Sequence, residues 1–408
     1  MTFNRRQFLG TTAAGAAIFA FSTMASAPLL GRTRERRSAP PARILVVLQL
    51  SGGNDALNTL VPFGDSAYYA ARPGLALKES EVLKLNEQMG LHPALGEWHK
   101  LYAQGRLAIV QGVGYPNPIR SHFSSMDVWH AADTRGRLAG KGWLGGLAEN
   151  AWPDETDPNL LIHIGSRAPF ALQNRAHPPV TFSTPAAYRW VGAPDELATV
   201  ERAADACDTA PADATPANGR DRALQRIQRT LADARVSSDQ VRAAARDFSP
   251  KQTFGANGLG ASLATVAALI QADLGTRIYS VELGGFDTHN QQLQRHSRCL
   301  AELDGLAAFQ RELEARGLAD RVMTVVFSEF GRRVAQNGSG GTDHGAAGNM
   351  FVMGTKAKGG LYGQLPSLTT LERGDMVFNT DFRRVCSSIA VNWFGTKPID
   401  GFEALPVI

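Results

Sequence analysis

Four glycine-bordered stretches of this 408-residue chain carry acids and histidines in positions where they could work together. They are "SGGND" with Asp55, "GGFDTH" with Asp287 and His289, "SEFGRR" with Glu329, and "GTDHG" with Asp343 and His344. Carboxylates and imidazoles gathered at one place are the residue types of a divalent-metal site. Each stretch has an ordinary reading as well. Asp55 could cap a helix, and Asp287 and His289 could hydrogen-bond within a turn. Glu329 could pair with Arg332, and His344 could be a satisfied structural histidine. A fifth stretch, "RSHFSSMDVW", supplies a candidate nucleophile in Ser121, with Arg120 before it and His122 after it. A serine at a helix start faces backbone N–H groups that suit an anion, and a metal could activate it. The alternative for Ser121 is a plain N-cap. Ser124 and Ser125 are weaker candidates. His122 is a base, a substrate contact or a support, and Arg120 or Arg332 could bind the anion.

These stretches need a frame. "RILVVLQL" reads as a buried strand running into the first of them, "LAIVQGV" as a second strand, with a helix between from Pro93 to Gly105. Strand, helix, strand with both strands apolar throughout implies a parallel sheet. "RIYSVEL", "RVMTVVFS" and "NMFVMG" continue the strands. Residues 296–316 read as one helix, and Asp381 stands near the start of a C-terminal helix. Residues 150–255 read as a helical or irregular insertion, with a small-residue linker at 205–219 and a charged helical stretch after it. The expected fold is α/β, a mostly parallel sheet sandwiched by helices. Parallel sheets place ligand sites at the carboxyl ends of their strands, which is where these loops fall.

The N-terminus reads as an address. Arg5 and Arg6 precede a weakly apolar Ala/Gly/Thr run, as in a bacterial twin-arginine signal. The signal would span 1–27, with cleavage after "ASA" or, because Pro28 follows, after Ala25. Residues 28–42 form a basic tether, and 43–408 the folded domain. This predicts export through the twin-arginine translocation machinery to the periplasm or beyond, with no stable membrane span after cleavage. The formal charge of +4 is misleading: residues 1–37 hold six arginines and one glutamate, so the rest sums to −1. A near-neutral domain has no electrostatic reason to bind nucleic acid. Cys207, Cys299 and Cys386 allow one disulfide with one thiol left over. "SGGND" lacks the spaced glycines of a dinucleotide fingerprint.

The order strand–Asp55, helix, strand–Ser121, then Asp287/His289, strand–Glu329 and His344 is similar to the alkaline phosphatase superfamily of phosphatases, arylsulfatases and cofactor-independent phosphoglycerate mutases. "LSGGNDALNTLVP", "RSHFSSMDVW", "GGFDTH", "SEFGRR" and "GTDHG" together resemble an uncharacterised bacterial branch of it, the domain-of-unknown-function family 1501, whose members typically carry twin-arginine signals. The resemblance runs from Ile44 to about Gly395. It implies an alkaline-phosphatase-like fold, Ser121 as nucleophile, and metal ligands at Asp55, Asp287, His289, Glu329 and His344, with Asp343 a ligand or the partner that orients His344. Two departures stand out: Phe330 replaces the superfamily's histidine after the Glu329 position, and Asp287 and His289 are closely spaced. One or two ions fit, among Zn²⁺, Ca²⁺, Mg²⁺ and Mn²⁺. The implied function is an exported metal-dependent hydrolase of a small or polymer-linked phosphate or sulfate ester. The alternative is a non-catalytic exported binding or assembly protein on the same fold.

Overall fold

The computed structural model describes residues 42–135, 138, 140–189, 198, 202 and 219–408. The signal, most of the tether, most of the linker and Cys207 lie outside them. Among the described residues no helix is long and apolar enough to cross a membrane.

Strand β1 (Ile44–Leu50) is buried almost throughout, because apolar side chains alternate between two cores. Ile44, Val46, Leu48 and Leu50 point into one, Leu45 and Val47 into the other. This follows from the two-residue period of a strand. The first core is closed by α3 (Gly96–Ala103), α7 (Gly258–Ala272), α8 (Gln292–Asp304) and α9 (Leu306–Ala315). The second is closed by α4 (His122–Ala131), α5 (Trp143–Ala151) and α10 (Phe382–Ser388), with Asp381 as N-cap of α10. The chain is therefore α/β with helices on both faces of one sheet. Two short helices follow β1, α1 (Ala56–Thr59) and α2 (Ser66–Ala71).

The sheet has nine strands. Besides β1 they are β2 (Leu107–Gly114), β3 (Leu161–Ile164), β4 (Val180–Phe182), β5 (Ile278–Leu283), β6 (Val322–Ser328), β7 (Gly348–Met353), β8 (Gly360–Tyr362) and β9 (Thr380–Asp381). Their order is β8-β2-β7-β6-β1-β5-β3-β4, with β9 also on β2. In the centre β1 runs parallel to both β5 and β6, with Val47 opposite Ser280 and Val325.

The structure departs from expectation in three places. Strand β7 is antiparallel to both β2 and β6. This reversal explains why the loop before it, carrying Asp343 and His344, reaches the same sheet end as loops that follow parallel strands. The helix expected over 296–316 is two helices meeting at Gly305. The region expected as an insertion also contributes to the sheet: β3 pairs in parallel with β5, and β4 with β3. Its charged stretch is a single long helix, α6 (Gly219–Asp247), packed on α7. Cys299 and Cys386 are both free.

Candidate active site

Four of the expected residues meet at the carboxyl end of the sheet. Asp287 Oδ1 lies 3.0 Å from His289 Nε2 and 3.1 Å from His344 Nε2. The two imidazole Nε2 atoms are 2.9 Å apart. His122 Nε2 is 3.6 Å from Asp287 Oδ2. Ligand atoms of His122, Asp287 and His344 all lie within 4.8 Å of one another.

Local backbone explains how each arrives. After β5 the chain stays irregular, and burial alternates: Phe286 and Thr288 are buried while Asp287 and His289 face outward. The Asp-x-His spacing thus puts both side chains on one side. The same alternation separates Asp343 from His344, which sits in an extended bridge opposite Arg332. His344 turns toward the carbonyl of Arg120, and Asp343 turns the other way, toward His289. The orienting role expected for Asp343 is therefore directed at His289 rather than at its sequence neighbour. The glycines of "GTDHG" make room for backbone. A Cβ on Gly341 would stand 2.3 Å from the His289 carbonyl carbon, and one on Gly345 2.5 Å from that of Arg332.

Each imidazole is held through Nδ1 by a group that can only accept. The partner of His122 is Glu329 Oε1 at 2.8 Å. That of His289 is Asp343 Oδ1 at 3.2 Å. That of His344 is the Arg120 carbonyl at 2.8 Å. In the neutral rings the proton then sits on Nδ1, which leaves three Nε2 lone pairs turned toward Asp287. Two lone pairs 2.9 Å apart repel unless a positive charge lies between them. The donor set fits a divalent cation, and the carboxylate or carbonyl behind each ring is the usual support of a metal-binding histidine. Three imidazoles and one carboxylate suit Zn²⁺ or a similar transition ion better than Ca²⁺ or Mg²⁺.

Burial raises the pKa of the Asp287 carboxyl, but the Arg332 guanidinium, through its hydrogen bond and its charge, outweighs it and leaves it at about 2. The Asn337 hydrogen bond, and less so His289, hold Asp343 below the usual carboxylate range.

Two expected ligands stand elsewhere. Asp55 is wholly buried and caps α1 by accepting from Leu57 N–H. Its oxygens take Arg72 Nη1 at 2.6 Å and Nη2 at 3.0 Å, and Gln292 donates to it as well. Burial opposes its ionisation, but Arg72 overrides this and its pKa is lowered. No lone pair is turned toward the histidines, so the helix-cap reading describes Asp55. Glu329, also buried, accepts from Gly52 N–H and from His122, with Ser328 on its second oxygen. It holds the His122 ring and is not itself turned to the other histidines.

Arg332, expected to ion-pair with Glu329 or to bind an anion, is buried. Its guanidinium bonds the carbonyls of Gly52, Gly53, Phe286 and Thr342 and also Asp287 Oδ1. It ties three loops together and cannot reach a substrate. Gly52, at φ +122°, allows one of these close approaches: a Cβ there would lie 2.3 Å from the Asp287 nitrogen.

Ser121 stands at the N-cap of α4 in extended backbone, exposed, and its side chain makes no capping bond. The plain N-cap reading is not realised. Ser125 is buried and donates to the Glu329 carbonyl, so it anchors α4, while Ser124 is exposed. The Arg120 guanidinium is held by Asp375. Sequence reasoning missed Arg72, Gln292, Asn337 and Asp375. The sole local sign was a charged Arg72 in the otherwise small and aromatic run "SAYYAARPG".

Fold and site together define an α/β protein with a three-histidine, one-aspartate cluster at the carboxyl edge of its sheet. The chain belongs to the family described as Protein of unknown function (DUF1501), whose model matches residues 42–384. No protein with a curated description matches the sequence. Among solved structures it is similar to the lipoteichoic acid synthase LtaP from Listeria monocytogenes, at 8% identity and TM-score 0.37 over 87% of this chain and 72% of that one. It is also similar to a protein in the alkaline phosphatase superfamily from Vibrio parahaemolyticus, at 8% identity and TM-score 0.40 over 90% and 71%. A third similar structure is alkaline phosphatase from the Antarctic bacterium TAB5, at 10% identity and TM-score 0.29 over 79% and 95%. Likeness at this level says nothing about what the site does.

Proposed function

We propose that the protein is an exported metal-dependent hydrolase of a phosphate or sulfate ester, with His122, His289, His344 and Asp287 holding a divalent cation and Ser121 as nucleophile. The convergence of three Nε2 lone pairs on one carboxylate supports this most directly. A bound cation supplies positive charge that stabilises a serine alkoxide and the charge developing on the ester. The chain supplies the rest. Ser121 Oγ attacks phosphorus or sulfur as its proton passes to water, the ester bond breaks, and the leaving oxygen takes a proton from water and departs as the alcohol; a second water then attacks the serine ester, releases the anion and returns a proton to Ser121 Oγ. The N-terminus of α4 presents backbone N–H groups to the same anion. Glu329, Asp343 and the Arg120 carbonyl keep the three rings in one tautomer.

Ser121→Ala should abolish turnover of phosphate and sulfate esters while metal content stays unchanged. Full activity in that variant would remove the serine from the mechanism. The second reading, an exported binding or assembly protein, draws support from Asp55, whose capture by Arg72 leaves ligands for one ion rather than two. It predicts a metal-loaded protein that cleaves no ester.

A further inference from the structure

The arginines around the histidine cluster differ in what holds them. Arg72 is taken by Asp55, and Arg332 by loop carbonyls and Asp287. Arg120 is clamped by Asp375, which accepts from its Nε at 2.8 Å and from its Nη2, and by the Arg373 carbonyl at 3.3 Å. Arg333 is the exception. Among the described residues none accepts a hydrogen bond from its side chain. Asp375 Oδ1 stands 3.8 Å from its Nε, and neither atom has a hydrogen-bond partner.

The backbone beneath Arg333 is fixed. Its N–H bonds the Asp343 carbonyl at 3.0 Å, and its own carbonyl accepts from Arg72 Nη2 at 2.9 Å. Arg332 sends its guanidinium to Asp287, and in extended backbone the next residue points the other way. Arg333 therefore leaves the cluster and reaches a hairpin of two short strands, Leu371–Glu372 and Asp375–Met376. Its Nη1 lies beside the turn, where a Cβ on Gly374 would stand 3.5 Å from it. The side chain is 38% exposed. Charges around it do not balance. Asp375 carries one negative charge and faces two guanidiniums, those of Arg120 and Arg333. Glu372 and Arg373, both exposed, cancel each other. One positive charge is left over, on an arginine whose donors are unused and open to water.

We infer that Arg333 holds a second negatively charged group of the substrate, a carboxylate, phosphate or sulfate separate from the ester that is cleaved. A guanidinium presents its N–H donors in one plane, which matches the oxygens of such a group. The same charge repels a cationic substituent and gains little from a neutral one. The anion cannot be the one at the histidines, because the Arg333 side chain turns toward Asp375 instead. The word substrate rests on the proposed hydrolysis; the anion site does not.

Paired probes test this without turnover. The zinc-loaded full chain would be titrated by calorimetry at low ionic strength with phosphonopropionate, phosphonobutyrate and phosphonohexanoate, each beside the alkylphosphonate of equal length. The phosphonate stands in for the ester and is not cleaved. The expected result is that at least one carboxylate-bearing probe binds about tenfold or more tightly than its alkyl counterpart. That ratio should fall to near unity in Arg333→Gln and recover in part in Arg333→Lys. Added salt should shrink it. Because the Arg333 side chain makes no hydrogen bond, both variants should fold. Equal binding within every pair, no binding of any probe, or an unchanged ratio in Arg333→Gln would overturn the inference. Turnover of a simple monoester without a carboxylate advantage would overturn it and keep the hydrolase reading. An advantage that depends on Arg333, in a protein that cleaves no ester, would do the reverse.

Discussion

The buried group around Asp55 and the half-exposed group around Asp287 are built from the same residue types, an acid, an arginine and histidines. They differ in what their polar atoms face. Around Asp55, protein partners satisfy the carboxylate: Arg72 grips it, Gln292 donates to it, and His296 donates to the neighbouring Asn54 at 2.9 Å. Around Asp287, each histidine is anchored on its outer nitrogen and turns an inner lone pair toward the others. The first arrangement is closed and stabilises the loop after β1. The second leaves its inner nitrogens facing one another without a protein donor between them. Residue type thus does not separate a closed network from an open one; the direction of the unshared atoms does.

The largest effect should come from breaking the closed group. Arg72→Met strands a buried carboxylate, and should cost about 3–5 kcal/mol in urea unfolding followed by tryptophan fluorescence. The double variant with Asp55→Leu should recover much of that loss, since removing both partners avoids the stranded charge. A loss under about 1 kcal/mol in Arg72→Met would show that the pair contributes little.

Next in size is the support of the open group. Glu329→Gln retains an acceptor for His122 but removes the charge behind the ring. Zinc affinity measured by calorimetry should fall roughly 10- to 100-fold. A fall beyond that, with loss of stoichiometry, would instead make Glu329 a direct ligand.

A further test reads the closed group through pH. Burial holds His296 at about 3, against the opposing charge of Asp55, and His92 at about 4. Both fold as neutral rings, while their unfolded counterparts bind a proton near pH 6.5. The unfolded chain thus carries more protons between those values, so stability falls as pH drops from 6.5 toward 4 and below. Each histidine adds a slope of about 1.4 kcal/mol per pH unit in that window. His296→Gln should flatten the slope by that amount in denaturation measured from pH 6.5 to 4. An unchanged slope would mean that His296 is charged in the folded protein.

The sheet was legible because its central strands are apolar on both faces, and the loops because each ligand stretch follows a strand or is bordered by glycine. The antiparallel sense of β7 was not, since an apolar run carries no direction. Asp343 and His344, adjacent in sequence, invited pairing, yet extended backbone sends neighbours to opposite sides. Asp55 looked like a ligand because its partner, Arg72, comes from the next short helix, and nothing in the spacing joins them. The strands at 161–164 and 180–182 are too short to show a period, and only their pairing with β5 and each other reveals them as sheet.

The most direct measurement is metal content by plasma mass spectrometry after zinc loading, on the native protein beside His344→Ala and Asp55→Asn, with folding of each checked by circular dichroism. The account predicts about one equivalent of metal in the native protein, loss in His344→Ala, and retention in the folded fraction of Asp55→Asn. A metal-free native protein, or a folded Asp55→Asn protein that has lost its metal while His344→Ala keeps it, would contradict the account.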